Sequence, residues 1–151
     1  MAILIITLII VFIGLWYSGL YYNCSYFKKE REKKFIALKE LLNKRCELLA
    51  SVAESSCKEE LAKLCEGALS ESDIDKRIEL EYQITKAFME LDSDNTIVMG
   101  EALYRAQDSL VEPVKEFNVA TEIYNKAVSN FMIKHTAKIA ELLPGSTLKL
   151  L

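Results

Sequence analysis

Four cysteines and one histidine are the residues best suited to redox or metal chemistry in this chain. The cysteines are Cys24, Cys46, Cys57 and Cys65, and none of them belongs to a CxxC pair. His135 has no acidic or cysteine partner at the spacing of a metal ligand or a catalytic base. The pattern therefore favours buried or half-buried thiols in a reducing compartment over disulfides or a metal centre.

The acidic stretch at residues 92–95, Asp-Ser-Asp-Asn, is the other place where ligand chemistry has to be considered. As a calcium loop it would place Ile97 where glycine is needed and Leu103 where glutamate is needed. A di-metal helical bundle needs two Glu-x-x-His pairs, which a single histidine does not supply. We interpret the stretch as a turn and predict a protein that is not an enzyme, with no metal, no cofactor and no small-molecule substrate. A metal-binding bundle enzyme is the less favoured alternative.

The charges are distributed between two very different parts of the chain. The first 27 residues contain no Asp, Glu, Lys or Arg, and all 19 basic and 22 acidic residues follow them. The net charge of −3 and the lack of a basic face exclude a typical nucleic-acid-binding protein. We therefore divide the chain into an apolar anchor at residues 1–27 and a helical domain at residues 28–151.

The anchor is predicted to be a transmembrane helix over residues 2–22. Between Ile3 and Leu15, eleven residues are Leu, Ile, Val or Phe, which favours insertion by roughly 5 kcal/mol. A helix of this length spans about 32 Å, close to the hydrocarbon thickness of a bilayer. A cleaved signal peptide would have a positive start and small residues at its cleavage site, and neither is present. Aromatic residues typical of the membrane interface cluster at its C-terminal end: Trp16, Tyr17, Tyr21, Tyr22 and Tyr26.

A basic collar follows the anchor directly. Within residues 28–34 five side chains are basic and two are acidic. The positive-inside rule then predicts a single-pass protein with its N-terminus outside and its domain in the cytoplasm. An alternative function is contact with anionic lipid headgroups, for which the collar and the apolar tail at residues 146–151 are the candidate surfaces. The tail either packs on the domain, which we favour, or contacts the membrane. The collar consists of Lys28, Lys29, Arg31, Lys33 and Lys34.

The remainder of the chain is predicted to be all-α. No Gly or Pro occurs between Gly19 and Gly67, so the anchor helix can continue into the domain without a break. Arg45 lies beside the apolar stripe of this helix, and we expect its side chain to snorkel past the edge rather than form a buried ion pair. Ser55 and Ser56 are candidates for a kink or a division of this helix, and the first loop is predicted at residues 67–72. The stripe consists of Phe35, Leu38, Leu42, Leu49 and Val52, widened by Ile36, Leu41 and Leu48.

Two further long helices are predicted. One starts near Ser72, with Asp75 in its first turn, and its apolar positions include Ile78, Tyr82 and Ile84. The last runs over residues 96–142, bent rather than ended by Pro113. Its apolar stripe comprises Leu103, Ala106, Leu110, Val114, Phe117, Thr121, Tyr124, Val128 and Phe131.

The last predicted helix contains a distinctive stretch that runs from Tyr124 and Asn125 through Ala127 and Val128, with Phe131 after it. With this stretch and the order of its parts, the chain resembles the LemA family of bacterial membrane proteins.

A weaker likeness is Lys44, Arg45 and Leu48, and Pro144 follows in Leu143-Pro144-Gly145. The resemblance implies an antiparallel up-down bundle of three to four long helices behind an anchor in the bacterial inner membrane, and no catalytic residues. We expect a non-enzymatic interaction or scaffold protein whose partners are the bilayer and a membrane or cytoplasmic protein, including a copy of itself.

Overall fold

The computed structural model describes residues 1–55, 58–93, 101–130 and 142–149. Within these ranges α-helices are the regular secondary structure and there is no strand, which confirms the predicted all-α class. The helices are α1 (Ala2–Ser55), α2 (Glu59–Ser70), α3 (Ile74–Ser93), α4 (Glu101–Asp108) and α5 (Val111–Val128).

Helix α1 joins the apolar start of the chain to the domain without interruption. It has 54 residues, and its N-terminal part is long and apolar enough to cross a membrane. The side chains of that part are not buried by the rest of the protein; Ile3, for example, is 82% exposed. The helix ends at Ser55, where the sequence predicted a division.

The start of α3 differs by one residue from the prediction. Asp73, not Ser72, is the capping residue, because Asp73 Oδ1 accepts a hydrogen bond of 3.0 Å from the Lys76 N–H. The carboxylate of Glu71 accepts hydrogen bonds of 2.8 Å from the backbone N–H groups of the next two residues, Ser72 and Asp73, which lie just before α3. The loop predicted at residues 67–72 is shorter, since α2 extends to Ser70.

The predicted last helix is divided. A turn at Ser109 and Leu110 separates α4 from α5, so Pro113 lies in the first turn of α5, where its missing N–H would have no helical partner. Residues 131–141, which include the predicted stripe member Phe131 and His135, lie outside the described residues. Cys57 and residues 94 and 95 of the predicted turn also lie outside them, whereas Asp92 and Ser93 of that turn belong to the end of α3.

The core consists of three clusters along α1. The cluster nearest the apolar segment contains Cys24 of α1 and residues 124, 128 and 142. The middle cluster contains Phe35, Leu38 and Leu42 with residues of α3 and α5 and Leu148. The third contains Cys46, Leu49 and Ala53 with residues of α2, α3 and α4.

Most of the predicted stripe positions that the structure describes are buried or half-buried, but two predicted core residues are exposed. Ile36 is 67% exposed and Tyr82 is 53% exposed. Each lies beside a buried position on its helix, Phe35 and Glu81 respectively, but points away from the core. The apolar faces of α1 and α3 are therefore narrower than predicted.

Candidate functional site: a groove that holds the C-terminal segment

Helix α5 uses two faces. Its apolar residues enter the core, whereas Asn118 and Asn125, seven residues apart and therefore on one side of the helix, contact residues 142–149. We call these residues the C-terminal segment. It has no helix or strand of its own, so its backbone groups need partners from elsewhere.

The two asparagines supply those partners by gripping the backbone at two points each. Asn125 donates through Nδ2 to the Gly145 carbonyl and accepts through Oδ1 from the Gly145 N–H, both at 2.8 Å. Asn118 does the same for Leu148, at 2.6 Å to its carbonyl and 2.8 Å from its N–H. Each primary amide thus replaces the hydrogen bonds that a neighbouring strand would make.

A third residue of α5 and residues of α1 and α3 complete the groove. The Tyr124 hydroxyl donates to the Leu143 carbonyl at 2.8 Å, and Asp75 accepts from the Ser146 N–H at 2.7 Å. Asp75 also forms an ion pair of 2.7 Å with Arg31 of α1. The segment is therefore held by α1, α3 and α5 together, mainly through its backbone.

Gly145 is needed for space. A Cβ atom at this position would lie 2.3 Å from Cζ of Arg31. The guanidinium ends a long side chain, but it is fixed by Asp75, by a 3.3 Å bond to Thr121 and by its position 5.5 Å from the Phe117 ring centroid. Moving it aside would break these contacts, so the groove selects glycine here.

Two leucines anchor the ends of the segment. Leu148 is 1% exposed and enters the middle cluster, and Leu142 is 5% exposed and enters the cluster around Cys24. Burial of each side chain contributes about 1.5–3 kcal/mol. For residues 146–149 of the predicted tail, the prediction that it packs on the domain is confirmed.

Replacing Asn125 with alanine should release the centre of the segment. The change removes both bonds to Gly145 and should cost about 1–2 kcal/mol. Hydrogen exchange at the Gly145 amide should become faster. Asn130→Ala is the matched control, because Asn130 is exposed near the end of the same helix. Equal exchange in the two variants would show that Asn125 does not hold the segment.

Tyr124 makes the segment contact sensitive to alkali. Burial raises the pKa of the Tyr124 phenol above its ordinary value of 10.0. Its stabilising contribution is therefore complete below about pH 10 and is lost as the pH rises through the folded-state pKa. Urea unfolding between about pH 8 and 11.5 should show a smaller alkaline loss in Tyr124→Phe than in the wild type or in Tyr104→Phe, whose ring is 66% exposed. An unchanged alkaline loss in Tyr124→Phe would disprove the assignment.

A second polar arrangement lies inside the domain. Arg45 is 0% exposed and donates to Glu81 Oε2 at 3.1 Å and to Thr85 at 3.0 Å. Arg77, also 0% exposed, donates to Glu81 Oε1 at 2.8 Å and 3.2 Å. The prediction that Arg45 snorkels outward is wrong, because Glu81 of α3 supplies a buried carboxylate that spacing within α1 does not reveal.

The buried ionic cluster, Arg45, Arg77, Glu81 and Thr85, also contacts a thiol. Cys46 donates to Glu81 Oε1 at 3.4 Å and accepts from Arg77 at 3.5 Å. Hydrogen bonding with Cys65, followed by burial, raises the pKa of Cys46 above the usual thiol range. Cys24, Cys46 and Cys65 are free and buried.

The basic collar is partly used within the fold. Arg31 is buried in its ion pair with Asp75, and Lys34 pairs with Glu116 of α5 at 2.7 Å. Lys29 and Lys33 are exposed, and Lys28 is half-buried. Two of the five predicted topology residues therefore also connect helices.

The family-like residues are separated into two groups. Tyr124 and Asn125 meet Leu143 and Gly145 in the groove, while Pro144 between them is exposed.

Of the weaker motif, only Arg45 is fully buried: Lys44 is exposed and Leu48 is half-buried. Ala127 is half-buried and Val128 is buried. Sequence reasoning missed Asn118, Asp75 and Glu81; the seven-residue spacing of Asn118 and Asn125 was the one available signal.

An apolar groove of about 450 Å³ lies between α1 and α5, apart from the C-terminal segment. Its apolar lining comes from Tyr26, Phe27, Val119, Ala120 and Ile123. Charged residues that include the Lys34–Glu116 pair border the same groove.

The described residues hold no group of three or more His, Cys, Asp or Glu side chains that could bind a metal ion. Comparison with known proteins adds no relative. No family model, curated protein or solved structure matches the chain.

Proposed function

We propose that this protein is a membrane-tethered, non-enzymatic interaction module. The observation that carries the proposal is the continuity of α1, which runs from an unburied apolar segment into the helical core. A tether of this kind confines the domain to the membrane surface and raises its effective concentration towards other membrane components. The partner is a membrane or cytoplasmic protein, including another copy of this chain.

The arrangement proposed for the domain is an antiparallel up-down bundle. Residue pairs between α1 and α5 support it, because their numbers rise along α1 as they fall along α5. Cys24 clusters with Tyr124, Arg31 bonds to Thr121, and Lys34 bonds to Glu116. The proposal that the bundle is LemA-like rests on the sequence stretches described above.

The proposed location is the bacterial inner membrane, with the N-terminus outside and the domain in the cytoplasm. The basic collar supports this orientation. A cysteine placed at the exposed position of Ser51 in a Cys57→Ser background tests it with a membrane-impermeant maleimide, since the remaining cysteines Cys24, Cys46 and Cys65 are buried. Labelling of Ser51→Cys in intact cells without permeabilisation would contradict the orientation.

A charge in the apolar part of α1 should detach the protein from membranes. Ile9→Lys should make insertion into the bilayer less favourable by about 3–4 kcal/mol, so that more of the chain appears in the soluble fraction after alkaline carbonate extraction. Ile36→Lys is the matched control, because Ile36 is 67% exposed on the same helix but lies behind the collar. If Ile36→Lys and Ile9→Lys fractionated alike, the anchor assignment would be lost.

Capture of the tagged full chain from detergent-solubilised membranes tests the function itself. A stoichiometric partner or an oligomer is the expected result. A chain that stays monomeric and free of partners would overturn the proposal.

The alternative function, contact with anionic lipid surfaces, has less support. Leu148 of the apolar tail is buried in the domain, and Arg31 and Lys34 are engaged in ion pairs. These groups are not free for headgroups in this conformation.

A further inference from the structure

The groove that holds the C-terminal segment depends on very few of the side chains of that segment. Its hydrogen bonds go to backbone groups of Leu143, Gly145, Ser146 and Leu148. Only two features depend on side chains: the absence of a Cβ at position 145 and the burial of the leucines at the two ends. A ligand must therefore be extended, with glycine three residues before a leucine.

One sequence known to satisfy these requirements is that of the chain itself. We propose that the groove also accepts residues 142–149 of a second copy in the same membrane, so that two copies exchange their C-terminal segments. This inference rests on the proposed membrane tether, which gives both copies the same orientation and the same height above the bilayer.

Exchange would preserve every contact described for the segment. An identical segment brings the same Gly145 to Arg31, the same backbone groups to Asn118 and Asn125, and the same leucines to the core. Residues 129–141 join α5 to the segment, and thirteen residues can reach at most about 45 Å. That limit exceeds the diameter of a helix, about 10–12 Å, so the covalent connection permits the exchange.

The segment is also placed to leave the groove without unfolding a helix. It contributes no helical residues, and Leu143 and Pro144, which lie between its two buried leucines, are exposed. Release requires only the two end leucines and the backbone bonds to be given up. Elements with so few buried contacts open more readily than the core. Within one copy, the covalent connection gives the segment a high effective concentration near its own groove. Exchange between copies therefore depends on the concentration of this protein in the membrane.

Two complementary full-length variants test the proposal. The groove variant, Asn118→Ala with Asn125→Ala, keeps an intact segment but lacks the asparagine side chains that bond the segment backbone. The segment variant, Gly145→Val, keeps an intact groove but carries a segment that clashes with Arg31. Each is expressed with a different affinity tag in the same cells. Capture of one tag should recover the other on the order of tenfold better for the mixed pair than for either variant paired with itself, because only the mixed pair joins an intact segment to an intact groove.

Controls separate exchange from other outcomes. Circular dichroism establishes that both variants are helical. If Gly145→Val is not helical, Leu148→Ser replaces it as the segment variant. A synthetic peptide of residues 142–149 should bind the segment variant and compete with the mixed pair. If helical variants fail to associate although the peptide binds, the groove accepts extended segments but copies do not exchange them, and the proposal is overturned. It is equally overturned if the peptide does not bind. In either case recovery of a different stoichiometric partner by the wild-type chain would leave the proposed tethered module standing.

Discussion

Glu81→Gln should destabilise the domain by about 3–5 kcal/mol, the cost of breaking a buried ion pair by removing one partner. The carboxylate of Glu81 is the shared acceptor for Arg45 and Arg77, and all three side chains are 0% exposed. Without its charge, two buried guanidinium groups would lack a counter-ion in this part of the cluster. Chemical denaturation of the detergent-solubilised chain, followed by circular dichroism, measures the change.

The same helix supplies the control for this prediction. Glu79 is exposed two residues away, and Glu79→Gln should change stability by less than about 0.5 kcal/mol. A Glu81→Gln variant as stable as Glu79→Gln would show that the cluster contributes nothing. Replacing Arg45, Arg77 and Glu81 together by apolar residues of similar volume should be close to neutral, because the desolvation cost of all three charges disappears with them.

Gly145→Ala is the second change expected to have a large effect. Its added Cβ would lie 2.3 Å from Cζ and 2.6 Å from Nε of Arg31. We expect a loss of about 1–3 kcal/mol from overpacking and faster amide exchange at Leu148, because the segment is displaced from Asn118. Hydrogen exchange with mass spectrometry measures the release, and denaturation measures the loss.

Gly67→Ala is the matched control, because the same substitution should stabilise the protein at this position. Gly67 lies within α2, and a Cβ there would meet nothing within 4 Å. Alanine is the better helix former, so this variant should be stabilised by about 0.5–1 kcal/mol. If Gly145→Ala behaved like Gly67→Ala, the steric role of Gly145 would have to be abandoned.

Much of the architecture could be predicted because it follows from local patterns. Apolar periodicity placed Phe35, Leu38 and Leu42 in the core, and the lack of Gly and Pro predicted one continuous first helix. The break at Ser109 and Leu110 was missed because neither residue is a strong helix breaker and the apolar stripe continues across it.

The candidate site was harder to predict, since its contacts join distant parts of the chain. Asn125 and Gly145 are twenty residues apart, and Arg45 and Glu81 are separated by thirty-six. No periodicity within one helix indicates that an asparagine grips a backbone or that an arginine meets a buried carboxylate. The stretches around Tyr124 and Pro144 were noticed as sequence likenesses, but their proximity in space was not predicted.

The uninterrupted α1 has a mechanical consequence. A helix of 54 residues is about 80 Å long, and about 50 Å of it lies beyond residue 22. If its apolar part spans the bilayer as proposed, a change of tilt in the membrane is transmitted to the whole helix. A tilt of about 10° at residue 22, within the range by which such helices adjust to bilayer thickness, would move the end of α1 at Ser55 by about 9 Å. Because the three core clusters are all built on this one helix, the thickness of the surrounding membrane would set the position of the whole domain.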